Sequence, residues 1–245
     1  MKIDGVDVPF STGGSGNTLD AIVDITAVNN SIESEIVVVF TGVVETLGDG
    51  VIRNTATLFV NDPTKAGTGI PSNTVATHWG DLVISKVDAD SVTTGLAGAK
   101  FEVYESNDPY AADCAATTPG VGPISVDGET EFATAAGGLV TVPGLYVTDS
   151  GNMPNELAAA RCYFIKETAA PTGFVLPSGG AEFTAVEVVT GASATADVVI
   201  ENTKQSVPSL PLTGGAGQAA LVIGGLALIG GGIGVASIRR RKLSA

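Results

Sequence analysis

Three residues whose side chains could take part in acid–base or nucleophilic chemistry fall on apolar faces of predicted strands. Side chains alternate across a strand, so residues two positions apart share a face. Each of the three follows two apolar residues at that spacing: Lys86 after Leu82 and Ile84, Glu167 after Tyr163 and Ile165, and Asn202 after Val198 and Ile200. Burial disfavours charged forms, so a core would hold the lysine as a neutral amine and the glutamate as a neutral acid. Those forms act as a nucleophile and as a proton donor.

The same alternation is also compatible with three solvent-exposed strand ends. Lysine and glutamate are almost never buried without a partner, because an unpaired charge in a core is very costly. If the strands end at these positions, the three side chains lie at the rim of the core and meet water. The face of Lys86 is also less clear than the other two, because Val83 and Val87 make the opposite face of its strand apolar as well. Periodicity alone does not decide between the core and the rim.

Short strands joined by turns are the elements that must position these residues. The chain is rich in glycine, with 32 residues, and low in charged residues, at 16%; this composition suits strands and tight turns better than long helices. The absence of a βαβ rhythm favours antiparallel β-sandwiches. A helical turn is expected at Met153–Arg161. The predicted strands are Glu35–Thr41, Val51–Val60, Leu82–Val87, Lys100–Tyr104, Leu139–Val142, Cys162–Glu167, Glu182–Val188 and Ala196–Asn202.

A boundary at Trp79-Gly80-Asp81 divides these strands into two groups. The sequence therefore predicts an all-β fold with two immunoglobulin-like antiparallel β-sandwich domains in tandem, at residues 1–80 and 81–204. The first residues of the chain lack the apolar segment of a signal peptide. We therefore expect residues 1–80 to be the C-terminal part of a truncated domain.

A membrane-spanning segment is predicted near the C-terminus. Residues Ala219–Ile238 form a run of 20 residues in which Ser237 is the only polar side chain. A helix of this length spans ~30 Å, the thickness of the hydrocarbon core, and a basic cluster that follows a span stays cytoplasmic. The alternative, a buried core helix, is disfavoured by the six glycines in the run. We assign residues 205–218 to a linker, 219–238 to a transmembrane helix and 239–245 to a basic cytoplasmic tail.

The composition argues against several classes of function. A net charge of −14 provides no basic patch for nucleic acid. One histidine and no Cys-x-x-Cys motif argue against a zinc site. No Ser/His/Asp or Cys/His set can be assembled around that histidine, His78. We therefore expect no metal, no cofactor and no enzymatic activity.

The segment before the predicted span resembles the sorting signal of Gram-positive surface proteins. Its pentapeptide is Leu210-Pro211-Leu212-Thr213-Gly214, and the hydrophobic run and the basic tail follow in the order of that signal. Such a proline-rich, glycine-flanked segment favours an extended conformation that an enzyme cleft can bind. The resemblance implies that a sortase cuts after Thr213 and joins it to an amine of a peptidoglycan precursor or of a neighbouring pilin subunit. It also implies a secreted protein, anchored to the cell wall after a transient stay in the membrane.

The segment 82–203 resembles the collagen-adhesin B-type domain of Gram-positive pilins. The stretches that carry the resemblance are Ile84–Asp88, Gly95–Phe101, Tyr163–Phe174 and Val199–Thr203, of which the third is the most specific. In that family a lysine of the first strand and an asparagine of the last strand form an intramolecular isopeptide bond, and a carboxylic acid between them promotes it. The resemblance implies these roles for Lys86, Asn202 and Glu167.

The stretch around Asn54 resembles the closing strand of a pilin shaft domain, in which an asparagine accepts a lysine. Asn54 shares a predicted face with Ile52 and Leu58, so the resemblance implies a second isopeptide acceptor. The candidate donors are Lys2 and Lys65, and neither lies in a convincing apolar strand. We expect the true donor strand in the missing N-terminal part. An ordinary hydrogen-bonded strand asparagine is the alternative.

The two cysteines, Cys114 and Cys162, are candidates for a disulfide. In an exported protein a pair of cysteines more often forms a disulfide than stays reduced. The alternative is two buried free thiols. If the disulfide forms, its loop-closure contribution is about 4 kcal/mol in the chain-entropy model.

Together these features predict a sortase-anchored structural surface protein, a pilin (fimbrial) subunit with a self-formed Lys-Asn crosslink that supports adhesion. The alternative is the stalk of a non-polymerising adhesin that binds a host surface or matrix ligand. A Tyr-Pro-Lys linkage motif would discriminate between them, and the chain has none. Because we expect a truncated chain, that absence leaves both hypotheses open.

Overall fold

The computed structural model of the protein describes residues 1–3, 5–16, 18–23, 26, 36–39 and 46–206. The predicted sorting motif at 210–214, the predicted transmembrane helix and the predicted basic tail lie outside these residues. Within the described ranges, no helix is long and apolar enough to cross a membrane. Residues Met1–Lys204 form one compact unit.

Strands dominate the described part of the chain, which confirms the predicted all-β fold. Among the described residues, short 3-10 helices lie at Cys114–Ala116 and Gly179–Ala181. The strands are β1 (Lys2–Ile3), β2 (Val6–Asp7), β3 (Phe10–Gly13), β4 (Asp20–Val23), β5 (Ile36–Val37), β6 (Val51–Leu58), β7 (Ile70–Asp88), β8 (Ser91–Gly95), β9 (Lys100–Glu105), β10 (Phe132–Ala133), β11 (Leu139–Asp149), β12 (Ala160–Ala169), β13 (Phe183–Val189) and β14 (Val198–Asn202).

The helical turn expected at Met153–Arg161 does not form, and turns occupy this segment until β12 begins at Ala160. The Asn155 N–H donates to the Asn152 carbonyl and the Ala158 N–H donates to the Asn155 carbonyl, so each turn closes on its own. The Thr148 hydroxyl also donates to the Asn155 carbonyl, at 2.5 Å. That carbonyl therefore accepts one hydrogen bond within its own turn and one from β11, and the segment is shaped by single turns and tertiary contacts rather than by a helical ladder.

Two sheets enclose the core that contains the predicted site. The first has the order β11-β7-β14, with β6 and β8 also paired to β7, and the second has the order β10-β9-β12-β13. β14 pairs in parallel with β7, whereas β11 pairs with β7 antiparallel. Because β13 belongs to the opposite sheet, the connection to β14 crosses the sandwich, and β14 can enter beside β7 in the same direction.

Alternating side chains from the facing sheets form this core, as their period of two predicts. Full burial of one large apolar side chain contributes about 1.5–3 kcal/mol, and truncating a fully buried phenylalanine such as Phe101 to alanine costs about 3–5 kcal/mol. The core residues are Leu82, Ile84, Ala99, Phe101, Val103, Val142, Leu145, Val147, Tyr163, Ile165, Val186, Val188 and Ile200.

The strand β7 is much longer than the predicted Leu82–Val87 and runs through the predicted boundary at residues 79–81. The Trp79 N–H donates to the Gly50 carbonyl at 2.8 Å, and the Gly191 N–H donates to the Trp79 carbonyl at 2.9 Å. Gly50 has φ +75°, and a Cβ at that position would lie 2.3 Å from the Gly191 nitrogen. Three segments thus meet backbone to backbone at this point. The division into domains at 1–80 and 81–204 stays a prediction.

The first part of the chain forms smaller sheets. β1, β2 and β5 make a three-stranded sheet, and β3 pairs with β4. The predicted strand Val51–Val60 is observed as β6, whereas Glu35–Thr41 is described only at residues 36–39. Ile52 and Leu58 on β6 are exposed, so the predicted apolar face of this strand is not covered by the described residues.

Candidate self-crosslinking site

Lys86 lies on the inner face of β7, in line with the core residues Leu82 and Ile84, and is fully buried, with 0% exposure. Both hydrogen-bonding groups of its backbone are satisfied. The Lys86 N–H donates to the Gly138 carbonyl at 2.7 Å, and the Leu96 N–H donates to the Lys86 carbonyl at 2.8 Å. With the backbone held in this way, the alternation of the strand directs the lysine side chain into the core.

Glu167 and Asn202 reach the same point from two other strands. Glu167 comes from β12 in the opposite sheet and is 5% exposed, and Asn202 is the last residue of β14 and is 2% exposed. Glu167 therefore faces Lys86 across the sandwich, whereas Asn202 lies beside it on the neighbouring strand. All three residues are buried, so none of them lies at a solvated rim.

The Glu167 carboxyl lies between the amine and the amide. The Lys86 Nζ is 3.8 Å from the Glu167 Oε2, and the Asn202 Nδ2 donates a hydrogen bond to the Glu167 Oε1 at 2.7 Å. Lys86 Nζ also donates to the Ile200 carbonyl at 3.0 Å. Among the described residues, neither Glu167 Oε2 nor Asn202 Oδ1 has a hydrogen-bond partner. Each oxygen of the carboxyl thus faces a different reactive group.

Burial dominates the electrostatics of the pair. It lowers the pKa of Lys86 to about 8, against the opposing effect of the Glu167 and Glu201 carboxylates. Burial also raises the pKa of Glu167, although the Lys86 ammonium and the hydrogen bond from Asn202 oppose this. Both shifts bring the neutral amine and the neutral acid within reach near neutral pH.

This arrangement has the groups that amide formation requires: a nucleophilic amine, a carboxamide carbon and a proton carrier that contacts both. A buried ion pair with no further chemistry is the ordinary alternative. Such a pair is weak evidence of stabilisation, because desolvation offsets much of its attraction. Two buried oxygens without partners are costly in a purely structural network.

Asn54 is exposed on β6, and the structure pairs the two candidate lysines elsewhere. The Lys65 Nζ lies 2.6 Å from the Asp20 Oδ2, and the Lys2 Nζ lies 3.8 Å from the Asp7 Oδ1. No buried carboxyl comparable to Glu167 appears among the contacts of these two lysines in the described part of the chain. The role of Asn54 as an isopeptide acceptor stays a prediction.

Cys114 and Cys162 are joined by a disulfide. Cys162 lies in β12, and Cys114 begins the short 3-10 helix at Cys114–Ala116. The bond ties the long connection after β9 to the strand that carries Glu167. The described residues include both cysteines of the chain, so no free thiol remains.

Two charged residues that the sequence analysis did not single out lie at the end of the site. The Lys204 Nζ is 2.7 Å from the Asp88 Oδ2 and 3.2 Å from the Asp90 Oδ2. Asp88 stands two residues after Lys86, and Lys204 stands two residues after Asn202. The alternation that identified the site would also have identified this pair if it had been followed one step further along each strand.

Two family models match the chain. Residues 80–204 match the SpaA model, described as a prealbumin-like fold domain, and residues 202–242 match the model of the LPXTG cell wall anchor motif. The resemblances of the segment 82–203 to a pilin domain and of the C-terminal segment to a sorting signal are thereby confirmed. The anchor motif indicates a secreted protein that is attached covalently to the cell wall, as predicted.

Fimbrial proteins are similar to the chain in sequence and in structure. It is 40% identical to "Fimbrial subunit type 2" of Actinomyces naeslundii, over 83% of this chain and 42% of the relative. It is 32% identical to "Fimbrial subunit type 1" of Actinomyces viscosus, over 79% of this chain and 39% of the relative. The chain thus spans about two fifths of the length of these curated relatives. The crystal structure of the Actinomyces fimbrial adhesin FimA matches with a TM-score of 0.68 and 30% identity, over 83% of this chain and 78% of that chain.

Proposed function

Because this chain belongs to the SpaA family of prealbumin-like fold domains, we propose that it is a pilin subunit that a sortase anchors to the cell wall and that crosslinks itself through Lys86 and Asn202. The observation that carries the crosslink is the Glu167 carboxyl, whose oxygens face the amine at 3.8 Å and the amide at 2.7 Å. The crosslink ties the strand β7 to the strand β14.

The chemistry proceeds as an intramolecular aminolysis. The neutral Lys86 Nζ attacks the Asn202 Cγ, the new Cγ–Nζ bond forms and the Cγ–Nδ2 bond breaks. Glu167 takes one proton from the attacking amine at Oε2 and delivers one to the departing Nδ2 through Oε1, so the carboxyl ends as it began. The products are a secondary amide and ammonia. Holding the groups in contact accounts for the rate, since good intramolecular alignment contributes roughly 7–11 kcal/mol.

The reaction turns over once and modifies the chain itself, so it is a self-modification and not enzymatic turnover. Its value is structural, because an isopeptide bond between β7 and β14 does not dissociate when the sheet is strained. A protein fixed to the cell wall at one end experiences such strain. The fimbrial relatives named above support this structural role.

The mass of the intact protein tests the crosslink. The full chain, purified in detergent, should be lighter than its sequence mass by one ammonia, after correction for the disulfide hydrogens. Glu167→Ala should restore the full mass, because it removes the proton carrier but keeps both reacting groups. Glu102→Ala, on the neighbouring strand β9, is the matched control and should keep the deficit. A wild-type chain of full mass contradicts the crosslink.

Anchoring would depend on residues 210–214 together with the predicted transmembrane helix and basic tail. A sortase is the proposed partner, and the acceptor of Thr213 is an amine of a peptidoglycan precursor or of a neighbouring pilin subunit. In cells with an active sortase, Thr213→Ala should move the protein from the cell-wall fraction to the membrane fraction. Thr203→Ala, before the linker, should leave it in the wall. Wall attachment of the Thr213→Ala protein contradicts the assignment of this motif.

Adhesion to a host surface ligand is a second candidate function. It is favoured by one observation, the similarity to a protein described as a fimbrial adhesin. Binding of the purified chain to host cells or matrix would support a direct role. Binding that requires polymerised fimbriae and is absent for the isolated chain would assign adhesion to the assembly instead.

A further inference from the structure

We propose that the ion pair between Asp88 and Lys204 is a positioning element that fixes the register of β14 on β7 and so delivers the Asn202 amide to Glu167 and Lys86. The inference rests on the proposed crosslink. Neither charged residue contacts the reacting atoms. Both act by holding β14, the strand that carries the acceptor, against β7.

The pair joins the ends of the two strands that carry the reacting residues. Asn202 is paired with Asp88 in the parallel register, and Ile200 is paired with Lys86. The Lys204 Nζ bridges to Asp88 at 2.7 Å and to Asp90 at 3.2 Å. The side chain of Asp88 is only 7% exposed, whereas that of Lys204 is 56% exposed. The acidic partner is thus buried within the sheet, and the lysine reaches it from the exposed surface.

The other end of β14 is held to β7 by hydrogen bonds of Asp197. The Asp197 Oδ2 accepts a hydrogen bond from the Val83 N–H at 2.6 Å, and the Asp197 N–H donates to the Val83 carbonyl at 2.8 Å. The Ser193 hydroxyl donates to the remaining oxygen of Asp197 at 2.6 Å. A strand of only five residues, Val198–Asn202, is therefore fixed to β7 by a carboxylate at its start and by an ammonium group just beyond its end.

Register decides whether the reaction can occur. A slip of one residue turns every side chain of a strand to the opposite face. On β14 such a slip would replace Asn202 in the core by Glu201 or Thr203, and neither of these carries a carboxamide. Parallel pairs are also slightly less stable per residue than antiparallel pairs, and β14 lies at the end of its sheet order. A short parallel strand in that position benefits most from an added constraint.

The backbone places Lys204 for this contact. Lys204 forms a bridge with Phe174, and the Val175 N–H donates to the Thr203 carbonyl at 2.9 Å. The segment after β12 thus supports the last residues of β14 from the side away from β7. The charge of Lys204 adds the contact to β7 itself, which the backbone of that segment cannot supply.

The test follows the rate of ammonia loss rather than its endpoint. The full chain is isolated unreacted under denaturing conditions, refolded by dilution into detergent buffer and sampled by mass over time. Lys204→Met should react roughly three- to tenfold more slowly than wild type, because the acceptor reaches its productive position less often. Lys204→Arg, which keeps the charge, should recover most of the rate. Lys100→Met removes a surface ion pair of similar length, to Glu131 at 2.6 Å, and should react at the wild-type rate.

Two further measurements separate positioning from general destabilisation. The two pH values at which the rate is half-maximal should be the same in Lys204→Met and wild type, because the reacting groups are unchanged. Asp90→Asn removes the longer and more exposed half of the contact and should slow the reaction less than Lys204→Met. This variant also keeps the test valid if Lys204→Met fails to fold.

The outcomes distinguish this inference from the function on which it rests. A wild-type chain that refolds and keeps its full mass overturns the crosslink and the inference together. If the wild-type chain loses ammonia and both Lys204→Met and Asp90→Asn react as fast as wild type, the positioning role alone is overturned. Slowing of Lys100→Met to the same extent as Lys204→Met also overturns it, because the effect would then reflect any lost ion pair.

Discussion

Replacing Lys86 with methionine isolates what the proposed crosslink contributes to stability. The substitution removes the amine, so no isopeptide bond can form, but it keeps an unbranched apolar side chain in the core between β7 and β12. Glu167 and Asn202 remain and can keep their hydrogen bond of 2.7 Å. The cost of burying a lysine also disappears. The difference from the crosslinked wild type is therefore dominated by the covalent link.

The magnitude follows from the loop that the link closes. In the chain-entropy model, closing a loop of about 100 residues stabilises a protein by about 4.7 kcal/mol. The disulfide between Cys114 and Cys162 lies inside this loop and already bypasses a separation of 48 residues. The shorter effective loop reduces the contribution by about 0.5 kcal/mol. About 4 kcal/mol remains, and at about 2–4 °C per kcal/mol the melting temperature should fall by about 8–16 °C.

Thermal unfolding followed by circular dichroism, with the mass of each sample measured in parallel, tests this value. Lys166→Met is the matched control, because Lys166 lies on β12 over the ring of Phe183, 5.4 Å from its centroid, and not in the site. It should keep the ammonia deficit and melt close to wild type. A Lys86→Met protein that still lacks one ammonia refutes the assignment of the donor. One that has full mass but melts within ~2 °C of wild type refutes the loop-closure estimate.

Three further predictions concern pH, the backbone junction and the disulfide. The crosslinking rate should be bell-shaped in pH, because Lys86 and Glu167 react only when the pair holds one proton in total. Below the raised pKa of Glu167 both groups are protonated and the lysine is not a nucleophile. Above the Lys86 pKa of about 8 both groups are deprotonated and no acid remains. A rate that rises steadily to high pH contradicts this. Gly50→Ala should lower the free energy of unfolding in urea by at least ~2 kcal/mol, because φ is +75° and its Cβ would lie 2.3 Å from the Gly191 nitrogen. Gly48→Ala, with φ +58° and open space, should cost only about 1 kcal/mol, so equal costs contradict the argument. Cys114→Ser should remove up to about 4 kcal/mol, and identical melting of this variant and wild type contradicts that contribution.

The placement of the candidate site was predictable because it depends on local alternation. Lys86, Glu167 and Asn202 each follow two core residues at a spacing of two, and the structure buries all three side chains. Periodicity could not exclude a solvated rim, because burial depends on which strands cover the end of the sheet. That is a non-local property, and here the resemblance to a known domain supplied the missing information.

Pairing and strand length were less predictable from the sequence. The residues around Gly80 have the composition of a break, yet Gly80 lies within β7, where a Cβ would be 2.1 Å from the Val189 carbonyl oxygen. The glycine serves a close approach of two chain segments rather than a turn. The direction of β14 was likewise hidden, because an alternating strand has the same pattern whether its neighbour is parallel or antiparallel. The predicted apolar face around Asn54 is exposed. Periodicity predicts such a face but does not say whether another element covers it.

The parallel pairing of β7 and β14 determines how the protein responds to force along the chain. Residues before Lys86 leave the ladder at one end, and residues after Asn202 leave it at the other. A pull applied through these two segments therefore slides the strands past each other along their axes. All the ladder hydrogen bonds resist at once in this shear geometry, whereas strands pulled apart from a shared end break their bonds one after another. An amide between Lys86 and Asn202 would convert that resistance into a covalent path, and the polypeptide between the two residues would stay slack.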